Sequence, residues 1–179
     1  MYKIVLTPCV FEPLPLLPAL QTRLEELLQI PVEINKKMLD LEVFFDVQRG
    51  QYNALQIIQS LPKKQTEKTI LCTTVDLFIP IFTFVFGLAH LSGCCGIIST
   101  HRLVNRYYGL PDDPELLSQR MVKEAVHELG HLAGLKHCQQ YDCVMASSAT
   151  ADDIDIKSEV FCPNCFNQFK QHFASKPIF

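Results

Sequence analysis

The sequence lacks the features that mark several classes of protein. No lysine- or arginine-rich block occurs in its 179 residues and the formal net charge is −3, so nothing indicates binding to nucleic acid or to an anionic membrane surface. The most apolar run, residues 77–91, is too short to cross a bilayer. There is no Asn-x-Ser/Thr sequon, no internal repeat and no signal-peptide pattern. We therefore expect a cytoplasmic protein without nucleic-acid or membrane partners.

Two other numbers describe what the chain does contain. Hydrophobic residues make up 48% of it, which together with its length favours one globular domain with a substantial core. It also has eight cysteines. In a reducing cytoplasm, cysteines are better candidates for metal ligands or free thiols than for disulfide bonds.

Apolar periodicity predicts alternating strands and helices in the front part of the chain. We predict strands at residues 3–6, 31–35, 69–75 and 96–100, a further strand in which Phe82, Phe84, Phe86 and Leu88 share one face, and helices at residues 18–30 and 51–61. This alternation predicts an α/β fold with a largely parallel sheet. After Cys138 the regular pattern weakens until a last predicted helix at residues 164–174, so the tail should be small and irregular.

The clearest helix in the sequence begins at Asp112-Asp113-Pro114-Glu115, which offers an acidic N-cap, a proline at the first helical position and an acid in the first turn. Gly134 can end it in a left-handed conformation. At about 100° per residue, His127 and His131 lie opposite the apolar stripe, so they should face a cleft. That stripe consists of Val122, Ala125, Leu129 and Leu132.

The histidines of this helix have the spacing of metal ligands. An isolated histidine is more often an ordinary core or surface residue. Here His127 and His131 are one turn apart, about 6 Å along the helix axis, so both imidazoles can reach one tetrahedral ion. The turn at Gly134 allows His137 to be a third ligand, and three ligands leave one position open for water, as in catalytic zinc sites. Glu128 lies beside them and can act as a general base.

Four cysteines form two pairs that predict a second, separate site. Cys138 and Cys143 have four residues between them, and Cys162 and Cys165 form a CxxC motif. Four thiolates would close the coordination shell of a structural zinc that holds the small tail in place. Two disulfides, buried free thiols or a redox-active CxxC are the alternatives. The remaining cysteines lie in apolar contexts and are predicted to be core residues: Cys9, Cys72, Cys94 and Cys95.

The stretch HELGHLAGLKH, residues 127–137, resembles the zinc-binding consensus of the metzincin metalloproteases, and Met145 resembles the methionine of their Met-turn. A cysteine directly after the third histidine, followed by CxM and CxxC, resembles the archaemetzincin branch of that group. RGQYNA at residues 49–54 and FTFVFG at residues 82–87 resemble the same family more weakly.

The resemblance implies a single zincin-like catalytic domain over residues 1–179. Its twisted mixed sheet is backed by helices, with an upper subdomain at residues 1–135 that includes the active-site helix. A lower subdomain at residues 136–179 contains the Met-turn and the four-cysteine site. Residues 81–88 are expected to form an antiparallel edge strand that pairs with extended substrate. Two zinc ions per chain follow, one catalytic on His127, His131 and His137, and one structural on the four cysteines.

The predicted activity is therefore zinc-dependent hydrolysis of peptide bonds in peptide or protein substrates, with Glu128 as general base. Ser147 occupies the position at which several other metzincins have a tyrosine, two residues after Met145. This difference, with an apolar rim at Phe82, Phe84 and Phe86, also fits a weakly active or gated two-zinc scaffold that binds peptides. The same residues could hydrolyse a non-peptide bond, and they could bind a divalent metal other than zinc. The sequence does not distinguish aminopeptidase from endopeptidase action.

Overall fold

The structure is a computed structural model that describes residues 2–10, 16–35, 39–64 and 66–174. Its strands are β1 (Lys3–Pro8), β2 (Val32–Ile34), β3 (Phe45–Asp46), β4 (Gln51–Asn53), β5 (Glu67–Thr73), β6 (Leu77–Ile79), β7 (Phe82–Val85), β8 (Gly87–Ala89) and β9 (Cys95–Ser99). Its helices are α1 (Leu16–Leu28), α2 (Ala54–Ser60), α3 (Pro114–Leu132), α4 (Ala151–Ile156) and α5 (Pro163–Ala174). Short 3₁₀ turns lie at Glu42–Phe44 and Asn105–Tyr108.

Two mixed sheets form the framework. The larger has the strand order β2-β1-β5-β9-β8, in which the first four strands are parallel and β8 joins the edge antiparallel to β9. The smaller has the order β3-β4-β6-β7. The fold class expected from the sequence, a mixed sheet with backing helices, is therefore confirmed.

The central strands are buried because helices cover both faces of the larger sheet. On one face, Ile4, Leu6 and Ile70 pack with α1 and α3 in one cluster of buried side chains. On the other face, Leu71 and Ile97 pack with α2 in a second cluster. Adjacent residues of one strand point to opposite faces, so strands covered on both sides are continuously apolar. This packing holds α3 rigidly under the edge strand β8.

Most predicted elements are confirmed within a few residues, with two corrections. Residues 51–53 do not begin a helix but form strand β4, because their backbone pairs with β3 on one side and β6 on the other. The Gln51 side chain also donates to Asp76 Oδ2 (2.9 Å) and to the Thr83 carbonyl (3.0 Å). The helix starts after Asn53, whose side chain caps it by accepting from the Gln56 amide.

The second correction concerns the predicted strand at residues 81–88, which is two short strands in different sheets. Strand β7 pairs with β6, whereas β8 pairs with β9, and buried Phe86 lies between them. Alternation of apolar residues continues through Phe86, so periodicity alone does not reveal the break. Both strands are nevertheless edge strands with antiparallel partners.

The tail differs from the expectation by containing an extra helix, α4. It begins with a capping box in which Thr150 and Asp153 bond to each other's backbone amides. The division into subdomains at residue 135 remains a prediction. In the part of the chain that the structure describes, no helix is both long and apolar enough to span a bilayer.

Candidate active site

Helix α3 positions the candidate site and ends beside it. Asp113 caps its start by accepting from the Leu116 amide at 2.9 Å, as the sequence predicted. After the helix, Gly134 has a φ of +91°, and a methyl group there would lie 2.8 Å from Ser92 Oγ. Only glycine accepts both this left-handed backbone and this close approach. The turn brings the chain back so that residue 137 lies beside the histidines of the helix.

The structure brings the three predicted histidines together. Each of His127, His131 and His137 has a ring nitrogen within 4.8 Å of those of the other two. The Nε2 atoms of His127 and His131 are 3.1 Å apart. Two nitrogens bound at about 2.0–2.1 Å to one tetrahedral zinc would be about 3.3 Å apart, so the observed spacing fits such an ion. His127 is buried and His137 exposed, which leaves one side of the group open.

Backbone carbonyls select the ring nitrogens that face the centre of this group. His127 Nδ1 lies 2.8 Å from the Val144 carbonyl, and His131 Nδ1 lies 2.8 Å from the Leu135 carbonyl. A carbonyl only accepts, so each Nδ1 carries the proton and each Nε2 presents a lone pair. Burial lowers the pKa of His131, and burial with the charge of Lys157 lowers the pKa of His127 well below its usual value. Both imidazoles are therefore neutral, the form that binds metal.

Glu128 is a buried carboxylate beside these histidines. Its Oε2 atom has no hydrogen-bond partner among the described residues. Burial, and then the charge of Glu124, raises the pKa of Glu128 well above its usual value. Its Oε1 atom lies against strand β8, where a methyl group on Gly87 would come within 2.6 Å of it. Gly87 therefore provides the space that this carboxylate occupies.

These residues line a cleft of about 690 Å³. Strands β7 and β8 supply an apolar wall that includes half-buried Phe84 and Phe82, which is 56% exposed. The lining also includes Lys136, His137 and residues 147–149. The dimensions and the apolar wall suit a segment of extended polypeptide.

Met145 lies directly beneath the histidines, at the position expected of a turn methionine. It is completely buried, and its Sδ atom would collide with any side chain at Gly130, which lies on α3 between the two histidines. The Met145 carbonyl accepts a hydrogen bond from the Cys138 amide at 2.9 Å. The loop that carries Met145 is thus held against the active-site helix from below.

The four predicted cysteines also converge. Each of Cys138, Cys143, Cys162 and Cys165 has its sulfur within 4.8 Å of the other three, and none is in a disulfide. The sulfurs of Cys138 and Cys162 are 3.9 Å apart, close to the roughly 3.8 Å that a tetrahedral zinc with 2.3 Å bonds requires. Backbone hydrogen bonding from Cys165 lowers the pKa of Cys162. Of the other cysteines, Cys9, Cys72 and Cys95 are buried as predicted, and Cys94 is half-buried.

One buried ion pair in the cleft was not foreseen from the sequence. Lys157, just after α4, has its Nζ 3.2 Å from Glu124 Oε1 on α3 and 3.4 Å from the Ala146 carbonyl. The side chains are 1% and 5% exposed. The sequence does carry a signal for this contact, since Arg120, Lys123 and Glu124 share one face of α3. In the structure all three bond to residues 154–157.

We predict that Lys157→Met destabilises the protein by about 3–5 kcal/mol, because it leaves the Glu124 carboxylate buried without a counter-charge. The double variant Lys157→Met/Glu124→Leu should recover part of this loss, since both charges are then absent. Urea denaturation measures both. Glu26→Gln, which breaks the exposed pair of Glu26 with Arg23, is the control and should cost less than about 1 kcal/mol. A single-variant cost no larger than that of the control would contradict the prediction.

Comparison with known proteins relates this arrangement to a family. The sequence model of peptidase family M54 matches residues 15–171. The chain is 38% identical over 138 residues to Archaemetzincin of Pyrococcus horikoshii, covering 75% of this chain and 73% of the relative. It is 40% identical over 134 residues to Archaemetzincin of Pyrococcus furiosus, covering 73% of this chain and 70% of that protein.

Solved structures agree with the fold and the family. A zinc-dependent peptidase from Methanocorpusculum labreanum superimposes with a TM-score of 0.87 at 33% identity, covering 93% of this chain and 100% of that one. Archaemetzincin from Archaeoglobus fulgidus, crystallised in complex with malonate, gives a TM-score of 0.83 at 33% identity. The match covers 93% of this chain and 99% of that one. With the family match over residues 15–171, these similarities show that the chain belongs to peptidase family M54, the archaemetzincins.

Proposed function

We propose that His127, His131 and His137 hold a catalytic zinc ion and that Glu128 is the general base in the hydrolysis of peptide bonds. The chain is a zinc metallopeptidase by its membership of family M54; the roles of individual residues are the proposal. The observation that supports them most directly is the convergence of three imidazoles beside a buried carboxylate oxygen that has no partner among the described residues.

Each residue has a separate part in this mechanism. A zinc ion held by the three histidines would supply Lewis acidity, which would polarise the scissile carbonyl and make the attacking water more acidic. Glu128 accepts the proton of the attacking water at Oε2 and later donates it to the departing amine. Burial raises the pKa of Glu128, which favours its holding the transferred proton between the two steps. The apolar wall of β7 and β8 keeps bulk water away from the reacting atoms.

We further propose that the four cysteines hold a second, structural zinc, so that the chain carries two zinc ions. Four sulfur ligands leave no open position, so this ion takes no part in chemistry. It would join Cys138, directly after the third histidine, to Cys162 and Cys165 at the start of α5. The two sites are thus linked through one peptide bond. We propose the cytoplasmic location expected from the sequence, because thiolate ligands stay reduced there.

A second candidate function is that of a weakly active or gated peptide-binding scaffold. Ser147 lies in the cleft lining two residues after Met145, and its short hydroxyl cannot reach as far as a tyrosine. The exposed Phe82 in the same cleft lining would serve binding equally well. The Glu128→Gln experiment described next separates the peptidase from the scaffold.

Glu128→Gln should abolish turnover of a mixed peptide library while zinc content remains that of the native protein, because the amide cannot accept the proton. Products are identified by mass spectrometry and metal content by inductively coupled plasma mass spectrometry. Products from both proteins would contradict the role of Glu128. No products from zinc-loaded native protein would favour the scaffold function.

Gly87→Ala should lower kcat by tenfold or more with unchanged zinc content, because its methyl group would displace the Glu128 carboxylate. Steady-state kinetics with a cleaved peptide and a circular dichroism spectrum test this. A variant that keeps full kcat with an intact fold would show that the carboxylate tolerates the shift.

Cys162→Ser should remove one zinc ion per chain and lower the melting temperature, since a serine hydroxyl replaces a thiolate ligand. Zinc stoichiometry and thermal unfolding measure the two effects. Cys95→Ser, at a buried cysteine outside the group, is the control and should leave zinc content unchanged. Equal zinc content in all three proteins would refute the structural site.

A further inference from the structure

Two cysteines outside both candidate metal sites lie in direct contact with each other. The sulfur atoms of Cys94 and Cys95 are 3.6 Å apart, and neither cysteine is in a disulfide. Among the described residues, neither belongs to a group of side chains that could hold a metal ion. The two candidate metal sites therefore leave this pair of thiols without a role.

The contact depends on an interruption of the regular backbone at Cys94. Adjacent side chains of a regular strand point to opposite faces of the sheet, which would separate neighbouring sulfurs. Strand β9 begins only at Cys95, and Cys94 lies in a bend before it. Both side chains pack with the same cluster of buried residues, the one that includes the buried side chains of α2. The chain thus turns two neighbouring thiols toward each other.

Contacts with helix α3 fix the turn that comes directly before the pair. The Ser92 amide donates to the His131 carbonyl at 2.9 Å. Lys68 Nζ donates to the Gly93 carbonyl at 2.6 Å and to the Leu132 carbonyl at 3.0 Å. The backbone that leads into the first thiol is therefore held in place, so the contact between the two sulfurs belongs to the folded protein.

The two thiols differ in exposure and in their surroundings. Cys94 is half-buried and can meet small molecules from solvent, whereas Cys95 is 3% exposed and donates to the Pro62 carbonyl at 3.7 Å. Burial raises the pKa of Cys95 to about 12. Burial lowers the pKa of Lys68, and the negative charges of Cys94 and Cys95 oppose this shift, so the ammonium group lies within electrostatic range of both sulfurs. An accessible thiol beside a second, resolving thiol is the arrangement of redox-sensor cysteines.

We propose that Cys94 and Cys95 are a modification site, at which hydrogen peroxide reversibly oxidises the two thiols to a disulfide between adjacent residues. Cys94 releases its proton to solvent and its thiolate attacks a peroxide oxygen, so that the O–O bond breaks and hydroxide leaves, taking up a proton to become water. The Cys95 sulfur then attacks the sulfur of the Cys94 sulfenic acid. An S–S bond forms, the S–O bond breaks, and hydroxide leaves with the Cys95 proton as a second water. Two electrons pass from the thiols to the peroxide.

A disulfide between adjacent residues is strained and therefore easily reduced. Adjacent Cα atoms are about 3.8 Å apart across a trans peptide, whereas the Cα atoms of disulfide-bonded cysteines are usually about 4.4–6.8 Å apart. Strained or exposed disulfides have the more oxidising potentials that are typical of labile and regulatory bonds. We therefore expect reduced glutathione to restore the two thiols.

The test uses zinc-loaded full-length protein treated with an equimolar amount of hydrogen peroxide. The remaining thiols are alkylated after denaturation, and chymotrypsin then releases a peptide that contains Cys94 and Cys95 but no other cysteine. We expect this peptide to lose two hydrogens in mass together with both alkylation sites, and reduced glutathione should restore both sites. Circular dichroism monitors the fold during oxidation, and zinc content monitors the four-cysteine group.

Variants at each position separate the roles of the two thiols. Cys95→Ala should stop the reaction at a sulfenic acid on Cys94, which dimedone captures, because the resolving thiol is absent. Cys94→Ser should slow the loss of the Cys95 thiol by about tenfold or more, because a buried sulfur rarely meets peroxide. Cys9→Ala, at a buried cysteine elsewhere in the same cluster, is the control and should form the disulfide as the native protein does.

The outcomes do not depend on peptidase activity. A peptide that keeps both alkylation sites after peroxide treatment of the folded protein would overturn the proposal. A sulfenic acid that persists on Cys94 in the native protein would overturn it as well, because Cys95 would then not resolve the first product. A disulfide that forms but resists reduced glutathione would overturn its reversibility.

Discussion

The structure depends on two hydrogen bonds that join helix α3 to the chain following it. The Nδ1 atoms of His127 and His131 bond to the carbonyls of Val144 and Leu135. Each bond orients a ring, selects its tautomer and holds a loop segment against the helix. A shift of either loop segment would rotate an imidazole, so the geometry of the site depends directly on the position of the loop.

Burial of charge is the second constraint. Glu124 and Glu128 are one turn apart on α3, and both are buried, which would be unfavourable for two unpaired carboxylates. Lys157 from the tail neutralises Glu124 and also holds the carbonyl of Ala146, the residue after the turn methionine. The tail therefore completes the cleft electrostatically as well as sterically.

Much of the site could be predicted because its residues are close in the sequence. The spacing of His127, His131 and His137 on a helix and its following turn depends only on helix geometry and on the permissive backbone of Gly134. Elements whose conformation depends on distant partners were not predictable. Gln51 lies in a strand because β4 pairs with β3 and β6, and the apolar alternation through Phe86 conceals a change of sheet.

The sequence alone indicated metal-dependent hydrolysis as the class of chemistry, the grouping of the candidate ligands into three histidines and four cysteines, and the α/β architecture. These follow from local spacing and from apolar periodicity, both of which act over a few residues. Only the tertiary structure decided that Gly87 makes room for Glu128 and that Lys157 pairs with Glu124. Those relationships join residues of different elements, and their electrostatic consequences exist only once folding has excluded water between them.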